Sequence, residues 1–326
     1  EQSGAIVEVN AGPSLLMHIK PAVGTPRPVG KAIVDHLFPN QNNGRIPIVG
    51  ITGSYGKTTV AYLVARLLIL SGKQTGLACT DGLYQDYRQI DKNNSANWTA
   101  ANRTLTNPTI DAAVFENGFD AILNEGLAYD SCQVGVITNV DPACHFGRNG
   151  IETPKQVFTV LRTQVDVVMP TAAAVDDVEE GLKLPTGAAV LNAREEMLVE
   201  ISELCHGEVI FFSINPDLPV ITQHRSNGTG STQSKRAVIV RNNTIMLVTG
   251  SDELPLVSLM EIPAATGERS TQEIENVLAA VGAAWALGIE PDLIRIGIET
   301  FGFSQEKYRP ENQNPPIGLQ TQGIKL

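Results

Sequence analysis

The sequence predicts an α/β fold, a mostly parallel β-sheet covered by helices, with a smaller β-rich portion towards the C-terminal side. Three observations carry this expectation. From Ile46 onward, short runs rich in Val, Ile and Ala alternate with helical or polar segments. A glycine loop, Gly53-Ser54-Tyr55-Gly56-Lys57-Thr58-Thr59, stands between one such run and a helical stretch. Beyond Gly187 the texture shifts to strand-like runs and a close Asn-Asn turn.

Taken in order, Ala5 to Val9 is a short β-like run closed by the turn residues Asn10-Ala11-Gly12-Pro13. Pro21 to Pro28 is rich in proline and suits an extended linker. Gly30 to Phe38 can form one helix, which Asn40 to Gly44 breaks. Ile46 to Ile51 is a buried-strand run, and Lys57 to Leu70 carries Val60, Leu63, Val64, Leu67 and Leu68 at helical spacing before Gly72. Gln74 to Cys79, Ala112 to Phe115, Val134 to Val140 and Val165 to Met169 read as further strands. Val209 to Phe212 is another strand, and Ala237 to Val248 is a hairpin turning at Asn242-Asn243. Gln272 to Leu287 is a helix ended by Gly288. Ser304 to Leu326, rich in Gln, Asn and Pro, is expected to be a polar tail without room for another domain.

Composition narrows the function classes. With 326 residues, 42% hydrophobic and 18% charged, the chain can bury a substantial core in one large domain or two smaller ones. No apolar stretch approaches the ~18 residues needed to cross a bilayer, so no membrane partner is expected. The net charge of -11 argues against nucleic acid as a partner. Cys79, Cys132, Cys144 and Cys205 lack metal or redox spacing and read as reduced thiols of a cytoplasmic protein. The chain begins with Glu1 rather than Met and therefore reads as a piece of something longer.

The loop carries the chemistry. Between a strand and a helix, its backbone N–H groups can surround phosphate oxygens at the positive end of the helix dipole. Lys57 would reach the phosphates and Thr58 would offer a hydroxyl to Mg²⁺. Gly53, Ser54, Tyr55, Gly56, Lys57, Thr58 and Thr59 are the expected nucleotide-binding set, although Ile51 stands where the first glycine of the strict P-loop spacing would be.

Thr52-Gly53-Ser54-Tyr55-Gly56-Lys57-Thr58-Thr59 resembles the loop of the Mur ligases, ATP-dependent amide-bond ligases that activate a carboxylate as an acyl phosphate. Asn107-Pro108-Thr109, Ala113-Val114-Phe115-Glu116, Gly126 to Asp130, Cys132 to Val136, Asn139-Val140, Ala189 to Ala193 and Ile274-Glu275-Asn276 resemble one branch of that group, the cyanophycin synthetases. Glu8-Val9-Asn10 looks like the signature that closes an ATP-grasp domain, where Glu8 and Asn10 would bind metal. The resemblance implies a division into 1–20 as the end of an ATP-grasp domain, 21–45 as a linker, 46–303 as the P-loop Mur-ligase central domain and 304–326 as the tail. The further C-terminal domain of Mur ligases is expected to be absent.

The same resemblance implies ATP and Mg²⁺ as cofactors, Lys57 as the catalytic lysine, Asn276 as a nucleotide contact, and Glu116 and His145 beside Thr58 as metal ligands. It implies a homo-oligomer acting on aspartate, arginine or the aspartyl-arginine dipeptide and a growing polymer. Departures from the pattern bear on activity. Leu161 falls where the family has a metal-holding carbamylated lysine, Phe119 and Asp120 replace a cationic segment, and Cys144 replaces the aspartate before the histidine. Three readings follow: an active amide-ligase module, a degenerate nucleotide-binding or scaffolding module of an ATP-grasp enzyme, and an unrelated P-loop kinase or NTPase. The missing lysine, the altered Glu116 segment and the shortened C-terminus favour the second.

Overall fold

The structure, a computed structural model, describes residues 9, 12, 14–38, 44–171, 186–226, 235–263 and 270–302. Glu8, Asn10, the Ala5 to Val9 run and the 304–326 tail lie largely or wholly outside these residues. The chain divides into two compact units, Glu1–Arg45 and Ile46–Leu326. The first contains the helices α1 (Leu16–Ile19) and α2 (Val29–Leu37), the second of which matches the helix expected from Gly30.

The second unit is built on one sheet in the order β11-β10-β9-β8-β7-β6-β1-β5-β2-β3-β4 among the described residues. Its strands are β1 (Ile48–Thr52), β2 (Thr75–Cys79), β3 (Gly82–Gln85), β4 (Arg88–Asp91), β5 (Ala112–Glu116), β6 (Val134–Ile137), β7 (Ala188–Asn192), β8 (Glu208–Ser213), β9 (Arg236–Arg241), β10 (Thr244–Thr249) and β11 (Asp252–Ser258). From β9 through β2 every neighbouring pair is parallel. Antiparallel hairpins extend both edges, so the β-rich portion expected past Gly187 is the end of this same sheet. Asn242 and Asn243 take positive φ at the β9–β10 turn, which suits the twist of a two-residue hairpin loop.

The central strands are apolar on both faces because helices cover both. On one face lie α3 (Lys57–Leu70), α9 (Thr271–Ala286) and α10 (Pro291–Glu299), packed with Val49, Ile51, Val114 and Val136. On the other, Ile48, Ala113, Phe115 and Ile137 meet residues of α4 (Trp98–Leu105), α5 (Phe119–Glu125), α6 (Pro154–Asp166), α7 (Glu196–Ser202) and α8 (Pro219–Ser226). Helix starts follow local chemistry. Ser270 and Glu273 form a capping box on α9, and Thr153 and Gln156 form another on α6, where Pro154 opens the helix.

That second cap explains a correction. Val165 to Met169 is not a strand: α6 runs through Asp166, placing Val157, Val160, Leu161, Gln164 and Val165 on its buried side, and Val168 makes only an isolated bridge to Cys132. A helical period had been hidden inside a β-branched run. The Val134 to Val140 run is likewise shorter than expected, since β6 ends at Ile137 and the next residues turn to the glycine loop.

Where α6 crosses β1, a buried polar knot replaces apolar packing. Asn117 Nδ2 donates to Tyr129 Oη and to Gln164 Oε1, both at 2.7 Å. A Cβ on Gly50 would lie 2.0 Å from Tyr129 Oη and 2.5 Å from Gln164 Nε2. Gly50→Ala should therefore destabilise the fold by about 1–3 kcal/mol through forced repacking. Urea unfolding measures this, and an unchanged midpoint would contradict so close an approach.

Candidate nucleotide and cation site

The C-terminal ends of β1, β2 and β5 open onto a cleft of about 650 Å³. The strand order changes direction beside β1, the place where parallel sheets hold ligands. The cleft brings together Gly53, Ser54, Tyr55, Lys57, Glu116 and His145 from the expected set.

The loop is held by the segment after β6. Asn139 accepts from Ser54 N through its carbonyl and from Tyr55 N through Oδ1, at 3.1 and 2.9 Å. Thr138 Oγ1 and Asn139 Nδ2 both donate to Tyr55 O, at 2.7 and 3.0 Å. Gly56, at φ 81°, caps α3, and a Cβ there would lie 2.0 Å from Asn276 Oδ1, so the two expected nucleotide residues touch across α3 and α9. The first intrahelical bond is Val60 N to Gly56 O, which leaves the N–H groups of Lys57, Thr58 and Thr59 directed out of the helix start. Such a terminus fits phosphate. Lys57 Nζ donates to Ser54 O at 3.2 Å, keeping its charge over the loop.

Thr58 and Glu116 stand together as expected. Glu116, 3% exposed at the end of β5, accepts from Thr58 Oγ1 at 3.0 Å, Thr80 N at 2.8 Å and Thr80 Oγ1 at 2.8 Å. A hydroxyl beside a carboxylate at a phosphate-binding helix start suits Mg²⁺, which binds through few protein oxygens and the phosphates. Among the described residues no group of three His, Cys, Asp or Glu side chains gathers into a protein-only metal cage.

His145 reaches the same cleft but faces the loop. Its Nε2 lies 3.2 Å from Ser54 Oγ, and its ring stacks on Phe119 with centroids 4.1 Å apart. Burial lowers its pKa from the usual value and the Lys57 charge lowers it further, against the raising effect of Asp120 and Asp141. Leu161, at the position expected of a lysine, is 1% exposed and packed in the core beneath α6. Tyr55 points its phenol at Asp141 Oδ2, 3.1 Å away, and walls both this cleft and a smaller hollow of about 300 Å³ lined by Arg194, Gln272 and Glu275. Burial raises the Glu275 pKa, opposed by Arg194 at 3.2 Å.

Thr80, Thr138 and Asp141 were not singled out from the sequence as site residues, nor was Asn139, although it belongs to the Asn139-Val140 pair in the family resemblance. That pair supplied a signal for one of them. Thr80 lies at a strand end whose periodicity marks nothing special.

Residues 51–150 match the Mur ligase middle domain family. The fold is that of a Mur ligase central domain. A solved UDP-N-acetylmuramoyl-L-alanyl-D-glutamate–2,6-diaminopimelate ligase superposes on it with a TM-score of 0.54 at 14% identity, covering 78% of this chain and 46% of that one. Over most of its length the chain is similar to cyanophycin synthetases: 35% identical across 94% of it to the Synechocystis sp. protein, and 35% across 91% to that of Crocosphaera subtropica. A diaminopimelate ligase of Geobacter metallireducens is 27% identical over 81% of the chain and 46% of the relative. The chain spans about a third of the length of the cyanophycin synthetases it matches. No helix among the described residues is long and apolar enough to cross a membrane.

The Mur-type cleft predicts its own titration. A depressed histidine pKa means that the folded state favours the neutral ring, so any stability tied to His145 is complete above the unfolded value of 6.5 and falls as pH drops through the lower folded value. Ring NMR should show His145 titrating below 6.5, with Lys57→Met moving it up and Asp120→Asn moving it down. Insensitivity to both changes would contradict the charge arrangement.

Proposed function

We propose that the unit from Ile46 binds ATP with Mg²⁺ at its phosphate loop, as one module of a cytoplasmic, homo-oligomeric acid–amino-acid ligase of the cyanophycin-synthetase type. In that reading the Lys57 side chain and the N–H groups of Lys57, Thr58 and Thr59 hold the phosphates, and Thr58 and Glu116 hold the cation, which when bound would neutralise phosphate charge. Asn276 contacts the nucleotide side of Gly56. Residues 1–20 close an ATP-grasp domain whose metal would be held by Glu8 and Asn10, and 21–45 join it to the Mur-type module. Aspartate, arginine or the aspartyl-arginine dipeptide and the growing polymer are the substrates of the whole protein.

Within that protein, we infer a module that binds nucleotide and supports the assembly rather than forming amide bonds. The single observation carrying this is Leu161. Its side chain is in the apolar core, so the position can neither carry a carbamate nor ligate a second metal. His145 supports the same reading, because its Nε2 is engaged with Ser54 and its ring lies on Phe119. One observation favours an active module instead: Lys57, Thr58 and Glu116 stand together around one loop, with Thr58 bonded to Glu116.

Lys57→Ala in the full-length protein separates the two. Under the binding reading, ATP affinity at this site falls at least tenfold, while polymer formation from aspartate, arginine or the dipeptide, measured by incorporation, stays within a factor of about three. Loss of polymer with Lys57→Ala, while Glu8→Ala leaves synthesis intact, would assign the chemistry to this module. Unchanged nucleotide binding would remove the phosphate-loop reading.

A further inference from the structure

Thr80 connects two polar clusters that α3 also connects. Thr58 and Tyr62 are one turn apart and share a face of that helix. Thr58 Oγ1 donates to Glu116, while Tyr62 Oη donates to Tyr84 Oη at 3.0 Å and lies 3.3 Å from Asp81 Oδ2. Asp81 is the next residue after Thr80. The turn that carries both is fixed from several directions: Gln89 Nε2 donates to Asp81 O at 3.0 Å and to Tyr84 Oη at 2.9 Å, and Cys79 Sγ lies 3.5 Å from Gly82 O. Thr80 then completes the circuit by placing both its N–H and its hydroxyl on the Glu116 carboxylate, one on each oxygen.

We propose that Thr80 is the positioning residue of the cation site, held by the Tyr62–Asp81 anchor so that Glu116 presents its carboxylate beside Thr58. The inference rests on the Mg²⁺-nucleotide reading given above and assigns a role to a residue outside the loop.

The physical case is one of orientation. A carboxylate has several acceptor directions, and a cation entering between Glu116 and Thr58 needs one of them kept open and correctly aimed. With its N–H on Oε2 and its hydroxyl on Oε1, Thr80 restrains the rotation of the carboxylate plane without supplying a charge that competes for it. Partners of this kind set the affinity of a ligand group by fixing it, and their loss commonly costs ~10–100-fold in metal binding. Thr80 is itself exposed and lines the cleft, so its hydroxyl can be removed without opening a cavity in the core.

Thr80→Val removes the hydroxyl and keeps the backbone N–H; Thr80→Ser restores the hydroxyl. The measurement is Mn²⁺ binding by electron paramagnetic resonance with a non-hydrolysable ATP analogue present, paired with analogue binding in EDTA by calorimetry. Thr80→Val should weaken Mn²⁺ at least tenfold and leave metal-free analogue affinity within twofold; Thr80→Ser should recover most of the loss. Tyr62→Phe should weaken Mn²⁺ by a smaller factor, about two- to fivefold. In a Glu116→Gln background Thr80→Val should have no further effect on Mn²⁺, because the group being positioned is already altered.

Equal Mn²⁺ curves for the unmodified chain and Thr80→Val overturn the positioning role while leaving nucleotide binding standing. Parallel losses of metal and of metal-free analogue binding also overturn it, since they mark a general loosening of the cleft. An unmodified chain that binds the analogue under neither condition overturns the phosphate-loop reading itself.

Discussion

The hydrogen bond from Thr58 to Glu116 joins the first turn of α3 to the end of β5, and the arrangement of the cleft depends on it. It can form because β1 and β5 are parallel neighbours, in register from Ile48 with Ala113 to Ile51 with Glu116. A parallel sheet ends its strands on one edge, and the loop after β1 has to climb from that edge into a helix lying across the face. Gly56 provides the required left-handed turn, and the apolar body of α3 then fixes the direction of the helix against β1, β2 and β5. A polar contact between two residues 58 positions apart is thus a consequence of core packing.

The same logic separates the loop from the core next to it. Under the proposed reading, phosphate would be held by backbone N–H groups and one lysine, a mode that tolerates side chains such as Tyr55, whose phenol turns aside to Asp141. A second metal position is less tolerant, because it depends on specific side chains from separate elements. Leu161 has joined the apolar layer under α6, where an unpaired ammonium would meet a large desolvation cost. Phe119 offers His145 a flat apolar partner.

Much of this was legible in the sequence, for reasons that differ by element. Strands β1, β2, β5 and β8 and helices α3 and α9 announce themselves through apolar period and punctuation, and Asn242-Asn243 marks its turn by backbone preference alone. The end of α6 and the residues after it were misread because Val165, Val167 and Val168 favour a strand locally, while the helix opened by the capping box twelve residues upstream runs through Asp166. The loop and Glu116 were visible as motif residues. Thr80, Thr138 and Asp141 were not, since their roles arise only when strands distant in sequence end side by side. Glu8 and Asn10 fall outside the described residues.

The satisfaction of the loop by its own neighbours has a consequence for function. Ser54 and Tyr55 have their backbone N–H groups paired to Asn139, and Tyr55 O is paired to both Thr138 and Asn139, all without any phosphate. A loop that folded only around nucleotide would leave such groups dependent on the ligand, and its ordering cost would be drawn from binding energy. Here that cost is met by β6 and the residues following it. These loop groups are thus satisfied by the segment after β6. Under the proposed reading, nucleotide would add stability by mass action as its concentration rises above its dissociation constant. Support and binding are separable properties of this fold, and a module that no longer formed amide bonds could keep the first through its core even as the second weakened.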